Sequence, residues 1–165
     1  MSTTNFTRTD LLRYTATMNQ MRNAVYHLVR RMATKNVLNI EDRLQAMGRR
    51  IAIDYARAWM PETRDFEKFV KETYFGVLRS KVKLEIDAPT KTVKVTDDKC
   101  PHCMHRYEDI SMPGCNVVVG FMETYTHELK VAGKLNFELK SLGVTKSKTR
   151  GDEVCEHLYR VEGTV

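Results

Sequence analysis

Residues Cys115 to Gly133 read CNVVVGFMETYTHELKVAG. Pro113-Gly114 breaks the chain before this stretch and Gly133 closes it, so the pattern predicts a helix over about 115–131. The segments on either side have a different period. Upstream, KVKLEID at 81–87 sets Val82, Leu84 and Ile86 on one face against Lys83 and Glu85 on the other, and KTVKVT at 91–96 repeats the alternation after APT. That predicts a hairpin with one solvated face. Downstream, KLNFELKSLGV and EVCEHLYRVEG predict two further strands.

Three helices precede the hairpin. Residues 10–33 place Leu11, Tyr14, Met18, Met21, Val25 and Leu28 at helical spacing behind Asp10, a possible cap. Asn39 caps a second helix, whose expected apolar stripe is Ile40, Leu44, Met47, Ile51, Tyr55 and Ala58. Gly48 lies on or beside that stripe. A mid-helix glycine costs about 1 kcal/mol relative to alanine, which points to close approach by another backbone or a ligand. Pro61 ends this helix. Thr63 is placed to cap a third, about 64–79, with Phe66, Val70 or Phe69, Tyr74 and Val77 inward. The order ααα-ββ-α-ββ predicts an α+β fold, helices packed on a small four-stranded antiparallel sheet.

The length of 165 residues fits a single domain, residues 1–37 carrying an N-terminal helix available for dimerisation and 38–165 forming the core. No apolar run is long enough for a transmembrane segment. The polar start MSTTNFTRTD lacks a secretory apolar region. A cytoplasmic location is therefore expected, where four cysteines bind metal or sit buried rather than form disulfides. The net charge is +6, and residues 1–60 hold ten of the 27 Lys/Arg but four of the 21 Asp/Glu. Such a basic half can bind nucleic acid. The arginines lack the interleaved aromatics that single strands stack on, so a solvated helical face is the preferred reading and nucleic acid is not the expected partner.

The cysteine spacing is Cys100-x2-Cys103-x11-Cys115-x39-Cys155. Two thiolates two residues apart can converge on one tetrahedral ion, and Pro101 assists the turn. Cys115 starts the predicted helix, where the positive dipole end favours thiolate. Cys155 starts the last predicted strand. Four thiolates would make a closed structural zinc site. Alternatively, Cys115 and Cys155 are plain buried cysteines and His102, His105 or His157 completes the site, or the chain binds no metal.

Cys115, Gly120, Gly151, Asp152 and Cys155 resemble the pattern of the 4-vinyl-reductase (hydrocarbon-binding) domain. In phenol-sensing members of that family, zinc is held by the helix cysteine, a Glu and a Cys on the next hairpin, and the last cysteine. Only Cys115 and Cys155 carry over; the Glu position falls near Val144 and the middle Cys near Ser147. The resemblance thus implies a zinc site that lacks two ligands, which Cys100 and Cys103 would supply. IEDRLQAMGRRIAIDYARAW with RDFEKFVKETYFGVL, matched at Met47-Gly48 and Asp65-Phe66, resembles subunits of the TRAPP (transport protein particle) complex, which share the fold. Some of those subunits acylate a cysteine at a position near Thr63 here, so that modification is not implied.

These families enclose an apolar tunnel for an acyl chain, a phenol or another hydrophobic molecule. The resemblance implies a lining of Met47, Ile51 and Tyr55 from the second helix and Phe121, Met122 and Tyr125 from the helix at 115–131; plain core is the competing reading. Nine methionines favour an adaptable pocket. The expectation is a zinc-stabilised, non-catalytic module that binds a hydrophobic small molecule as sensor or carrier, and forms a homodimer. The alternatives are a TRAPP-like scaffold for a protein partner, or a small hydrolase or reductase. Cys103 with His105, or Cys155 with His157, would be the thiol–imidazole couple of an enzyme, but a zinc-bound cysteine is no free nucleophile. Asp97-Asp98 and Asp152-Glu153 read as turn residues, and His127 as a surface residue.

Overall fold

Leu44, Gly48, Ala52 and Ala56 lie four residues apart and are buried along one ridge of the helix Ile40–Ala58. Three of the four are small, so another helix can approach the backbone itself. A Cβ on Gly48 would stand 1.9 Å from the Val117 carbonyl oxygen, and one on Gly120 would stand 2.2 Å from that of Gln45. The two glycines therefore open reciprocal slots, and the helix Asn116–Val131 lies in them.

The computed structural model describes residues 24–104 and 107–164. Four α-helices occur among them: α1 at 24–34, α2 at Ile40–Ala58, α3 at Phe66–Leu78 and α4 at Asn116–Val131. The strands are β1 (Val82–Asp87), β2 (Thr92–Asp97), β3 (Phe137–Lys146) and β4 (Cys155–Gly163). They form one antiparallel sheet in the order β1-β2-β4-β3, with register breaks in β3 at Ser141/Gly143 and Val144/Lys146. The fold is the expected α+β arrangement. Val93, Val95, Phe137, Leu139, Tyr159 and Val161 make the buried face of the sheet, against Phe69, Val70 and Tyr74 of α3 and Val119, Met122 and Leu129 of α4.

Several local expectations need correction. The α2 stripe is rotated by about one residue: Ile51 is 48% exposed and Ala58 exposed, because close packing selects the small residues for the seam and leaves larger ones to flank it. Asn39 occupies the N-cap position of α2 but is left-handed, and its side chain makes no cap hydrogen bond. The cap of α3 is Asp65, whose carboxylate accepts from the Lys68 amide, while Thr63 Oγ1 accepts from the Asp65 amide. In α1 the buried side chains are Tyr26 and Val29; Leu28 is 45% exposed. Asp10, Leu11, Tyr14, Met18 and Met21 lie outside the described residues, as does His105. Asp97 is no loop residue. It ends β2, continues the inward phase of Val93 and Val95, and is buried.

Candidate functional site

β2 ends at Asp97, opposite Cys155 in the register. The Asp97 carboxylate accepts from Ser80 Oγ and from the Lys99 amide, and its burial raises its pKa. This anchors the chain as it leaves the sheet. Cys100 follows as cap of a short 3-10 turn, Pro101–Cys103, closed by the Cys103 amide to the Cys100 carbonyl at 3.1 Å. Cys115 occupies the N-cap position of α4, and its carbonyl accepts from the Val118 and Val119 amides. Cys155 is the first residue of β4. The turn, the helix end and the strand end thus converge.

All four cysteines are free thiols and buried, and their sulfurs lie within 4.8 Å of one another. Hydrogen bonds from the thiols of Cys100, Cys115 and Cys155 hold the Cys103 thiol far below its ordinary pKa. The Cys155 thiol is also lowered, by hydrogen bonds from Cys100 and Cys115, while Cys100 and Cys115 are raised; a bound cation would favour the thiolate form of all four. The four sulfurs are close enough to hold a metal ion. Ser147, where the resemblance places the family's middle cysteine, sits against them. Its Oγ donates to Cys103 Sγ at 3.4 Å and accepts from Cys155 Sγ at 3.9 Å, and its amide donates to Asp152 Oδ2 at 2.7 Å.

No described histidine joins this group of sulfurs. His157 is fully buried on β4 and its Nδ1 pairs with Tyr74 OH at 2.8 Å; burial pushes its pKa down to about 4, so the ring is neutral at pH 7. Tyr74 OH also meets Tyr159 OH at 2.8 Å, completing a buried polar chain that sequence periodicity did not reveal. His127 is exposed, as expected, and pairs with Glu138 at 2.9 Å.

His102 points elsewhere. It and Pro101 form one wall of an apolar pocket of about 310 Å³. Met47 and Ile51 of α2, Val117, Val118 and Phe121 of α4, and Val25, Val77 and Leu78 from α1 and α3 complete it. Of the six residues expected to line a tunnel, the structure brings Met47, Ile51 and Phe121 to this pocket. Tyr55, Met122 and Tyr125 lie in the packed interior beside it. Tyr55 meets Phe121 and Tyr125 edge-on with ring centres 5.5 and 5.9 Å apart, and Tyr125 OH donates to the Trp59 carbonyl. His102 is the polar side chain among the described lining residues. Its main-chain carbonyl accepts from Tyr26 OH at 2.6 Å, which ties α1 to the turn.

No protein-family model matches the chain, and no curated protein sequence matches it. Among solved structures it is similar to trafficking protein particle complex subunit 3 from Naegleria fowleri, a structure covalently bound to palmitic acid. The TM-score is 0.72 at 13% identity, over 92% of this chain and 98% of that one. The chain therefore has a TRAPP-subunit-like fold. None of its described helices is long and apolar enough to cross a membrane.

Proposed function

We propose that this chain is a non-catalytic module that binds a hydrophobic small molecule, as sensor or carrier, and that zinc closes its cysteine cluster. The observation that carries this reading is the apolar pocket walled by the cysteine turn. Its volume of about 310 Å³ is at the lower end of ligand pockets, roughly 300–1,000 Å³. That size suits a small aromatic or a short acyl segment. One polar side chain in an apolar lining suits a ligand with one polar end, which His102 would meet.

The donor set fits zinc. Sulfurs at about 2.3 Å from a tetrahedral ion stand about 3.8 Å apart, so the cluster needs little contraction. The site would be closed and structural, joining the exit of β2 to α4 and β4. Buried free thiols suit a reducing compartment, and we place the protein in the cytoplasm. We propose a relation to the 4-vinyl-reductase domain on the residues that resemble it, together with a single-domain organisation and a homodimer formed through the N-terminal helix.

Native mass spectrometry of the purified protein tests the reading directly. A bound lipid or aromatic and one zinc per chain are expected. Ile51→Trp, at the half-exposed rim of the pocket, should abolish binding of a fluorescent fatty acid without lowering the melting temperature. Unchanged binding in that variant sinks the pocket assignment. The second reading is a TRAPP-like interaction scaffold, favoured by the fold match and by the aromatic packing of Tyr55, Phe121 and Tyr125 beside the pocket. An empty protein that binds a defined partner chain would support it.

A further inference from the structure

A groove of about 490 Å³ opens where α3 ends and β1 begins; it shares no lining residue with the apolar pocket, and its Lys99 and Val154 adjoin Cys100 and Cys155 in the chain. Arg79, Lys81, Lys83 and Lys99 surround it, with Asp98 as the single carboxylate. All five are exposed. None of the four cations shares a salt bridge among the described residues. The Arg79 guanidinium lies 5.7 Å from the centre of the Phe75 ring, and Phe75 is itself 46% exposed. The groove is therefore basic at its rim and apolar within.

β1 is an edge strand whose first residues border this groove; Thr96, Asp98 and Lys99 at the end of β2, and Val154 before β4, border it across the end of the sheet. β1 pairs with β2 on one side, and no described strand pairs with the other. An open edge offers a row of main-chain donors and acceptors. Lys81 and Lys83 guard this one: they repel a second copy of the same edge and select a partner that brings carboxylates. Residues 1–23 of this chain hold three arginines and one aspartate, the wrong sign for that role.

We propose that β1 and this groove bind an acidic, extended segment of a protein partner. The segment adds to the sheet beside β1, sets its carboxylates against Arg79, Lys81 and Lys83, and places an apolar side chain against Phe75. Main-chain pairing supplies affinity and the alternate side chains supply selectivity. A nucleic-acid backbone carries charge but no peptide groups for an edge strand, and a bilayer surface does not enter a groove.

The test uses the full chain and a fluorescent peptide as long as β1, six residues, alternating Glu with Val and Phe. Fluorescence anisotropy should show binding that weakens with salt, and about tenfold or greater loss in Lys81→Glu/Lys83→Glu. Hydrogen exchange should slow at the amides of β1. Lys81 and Lys83 are exposed, and an unchanged melting curve confirms that the variant is folded. Equal binding of the peptide with Lys in place of Glu overturns the proposal, as does unchanged affinity in the variant or protection away from β1. Displacement of the peptide by phosphatidylserine vesicles or single-stranded DNA through the same lysines assigns the groove to that ligand instead.

Discussion

Gly48→Ala probes the contact on which the helical layer is built. The new methyl carbon would stand 1.9 Å from the Val117 carbonyl oxygen and 2.8 Å from the Phe121 amide nitrogen. Even weak C–H···O contacts hold carbon and oxygen at about 3.3 Å or more, so α2 and α4 must part locally by more than about 1 Å. Overpacking costs about 1–3 kcal/mol where side chains can adjust. Here the obstacle is backbone, and relief moves a helix, so the cost belongs at the top of that range. Alanine returns about 1 kcal/mol of helix propensity. The net expectation is a loss of about 2 kcal/mol or more, read as a lower urea midpoint at unchanged slope. Gly76→Ala is the control. Its Cβ would meet the Trp59 ring at 2.8 Å, and a half-exposed ring can turn away, so propensity and clash nearly cancel. The double variant Gly48→Ala/Gly120→Ala should cost less than the two single changes together, because one separation of α2 from α4 relieves both clashes. A Gly48→Ala protein as stable as wild type, or strict additivity with Gly120→Ala, would refute the backbone-level seam.

Other expectations rest on separate parts of the molecule. Chelation should remove one zinc per chain and cost several kcal/mol of stability, read as a lower melting temperature and less than the roughly 10–16 kcal/mol of zinc-finger peptides, because a core remains; full metal retention in both Cys100→Ser and Cys155→Ser would eliminate the four-sulfur site. Tyr74→Phe removes the hydroxyl that meets both His157 Nδ1 and Tyr159 OH, leaves two buried polar groups short of a partner, and should cost about 1–3 kcal/mol in denaturant titration. Burial alone would raise the pKa of Glu138, but hydrogen bonds from Lys130, Lys140 and His127 outweigh it and hold the carboxyl at about 2 against an ordinary 4.5. A depressed carboxyl stabilises the fold above the unfolded value, so this contribution, about 1–2 kcal/mol once the exposed partners are discounted, should vanish between pH 4.5 and 2 in wild type and be absent from Glu138→Gln.

Element types and order were legible because α2, α3 and β2 bury a single face, which writes its period into the chain, while α4, buried at every position from Asn116 to Met122, was marked by Pro113-Gly114 before it and Gly133 after it. Helical phase was less legible. Ile51 and Tyr55 outweigh Ala52 and Ala56 in apolar bulk, yet the seam takes the small residues; Gly48 was the clue, and Gly120 its counterpart one helix away. The cysteine cluster was legible because its members sit at element ends: a turn, the cap of α4 and the start of β4. The pocket was legible only by half. A stripe says that Met47, Ile51, Tyr55 and Phe121 face inward, but not which of them meets an opening and which meets another ring. Val25, Val77, Leu78 and Pro101 come from three separate segments, and only tertiary packing brings them together. Asp97 was hidden by composition, since Asp-Asp reads as a loop, although its parity with Val93 and Val95 pointed inward.

The turn Pro101–Cys103 links the two candidate sites. Cys100 and Cys103 send their sulfurs into the cluster, and between them Pro101 and His102 face the pocket. Three backbone bonds separate any two neighbouring Cα positions, so a shift of either sulfur moves the pocket wall. A metal that fixes both sulfurs therefore also fixes that wall, and Tyr26 holds it from the other side through the His102 carbonyl. A wall fixed in advance costs less ordering when a ligand enters, so zinc should raise ligand affinity, and by linkage the ligand should raise zinc affinity by the same factor. On this view a closed four-sulfur site without an open coordination position still takes part in binding: it does so by shape, through the two residues that its own spacing leaves between the thiols.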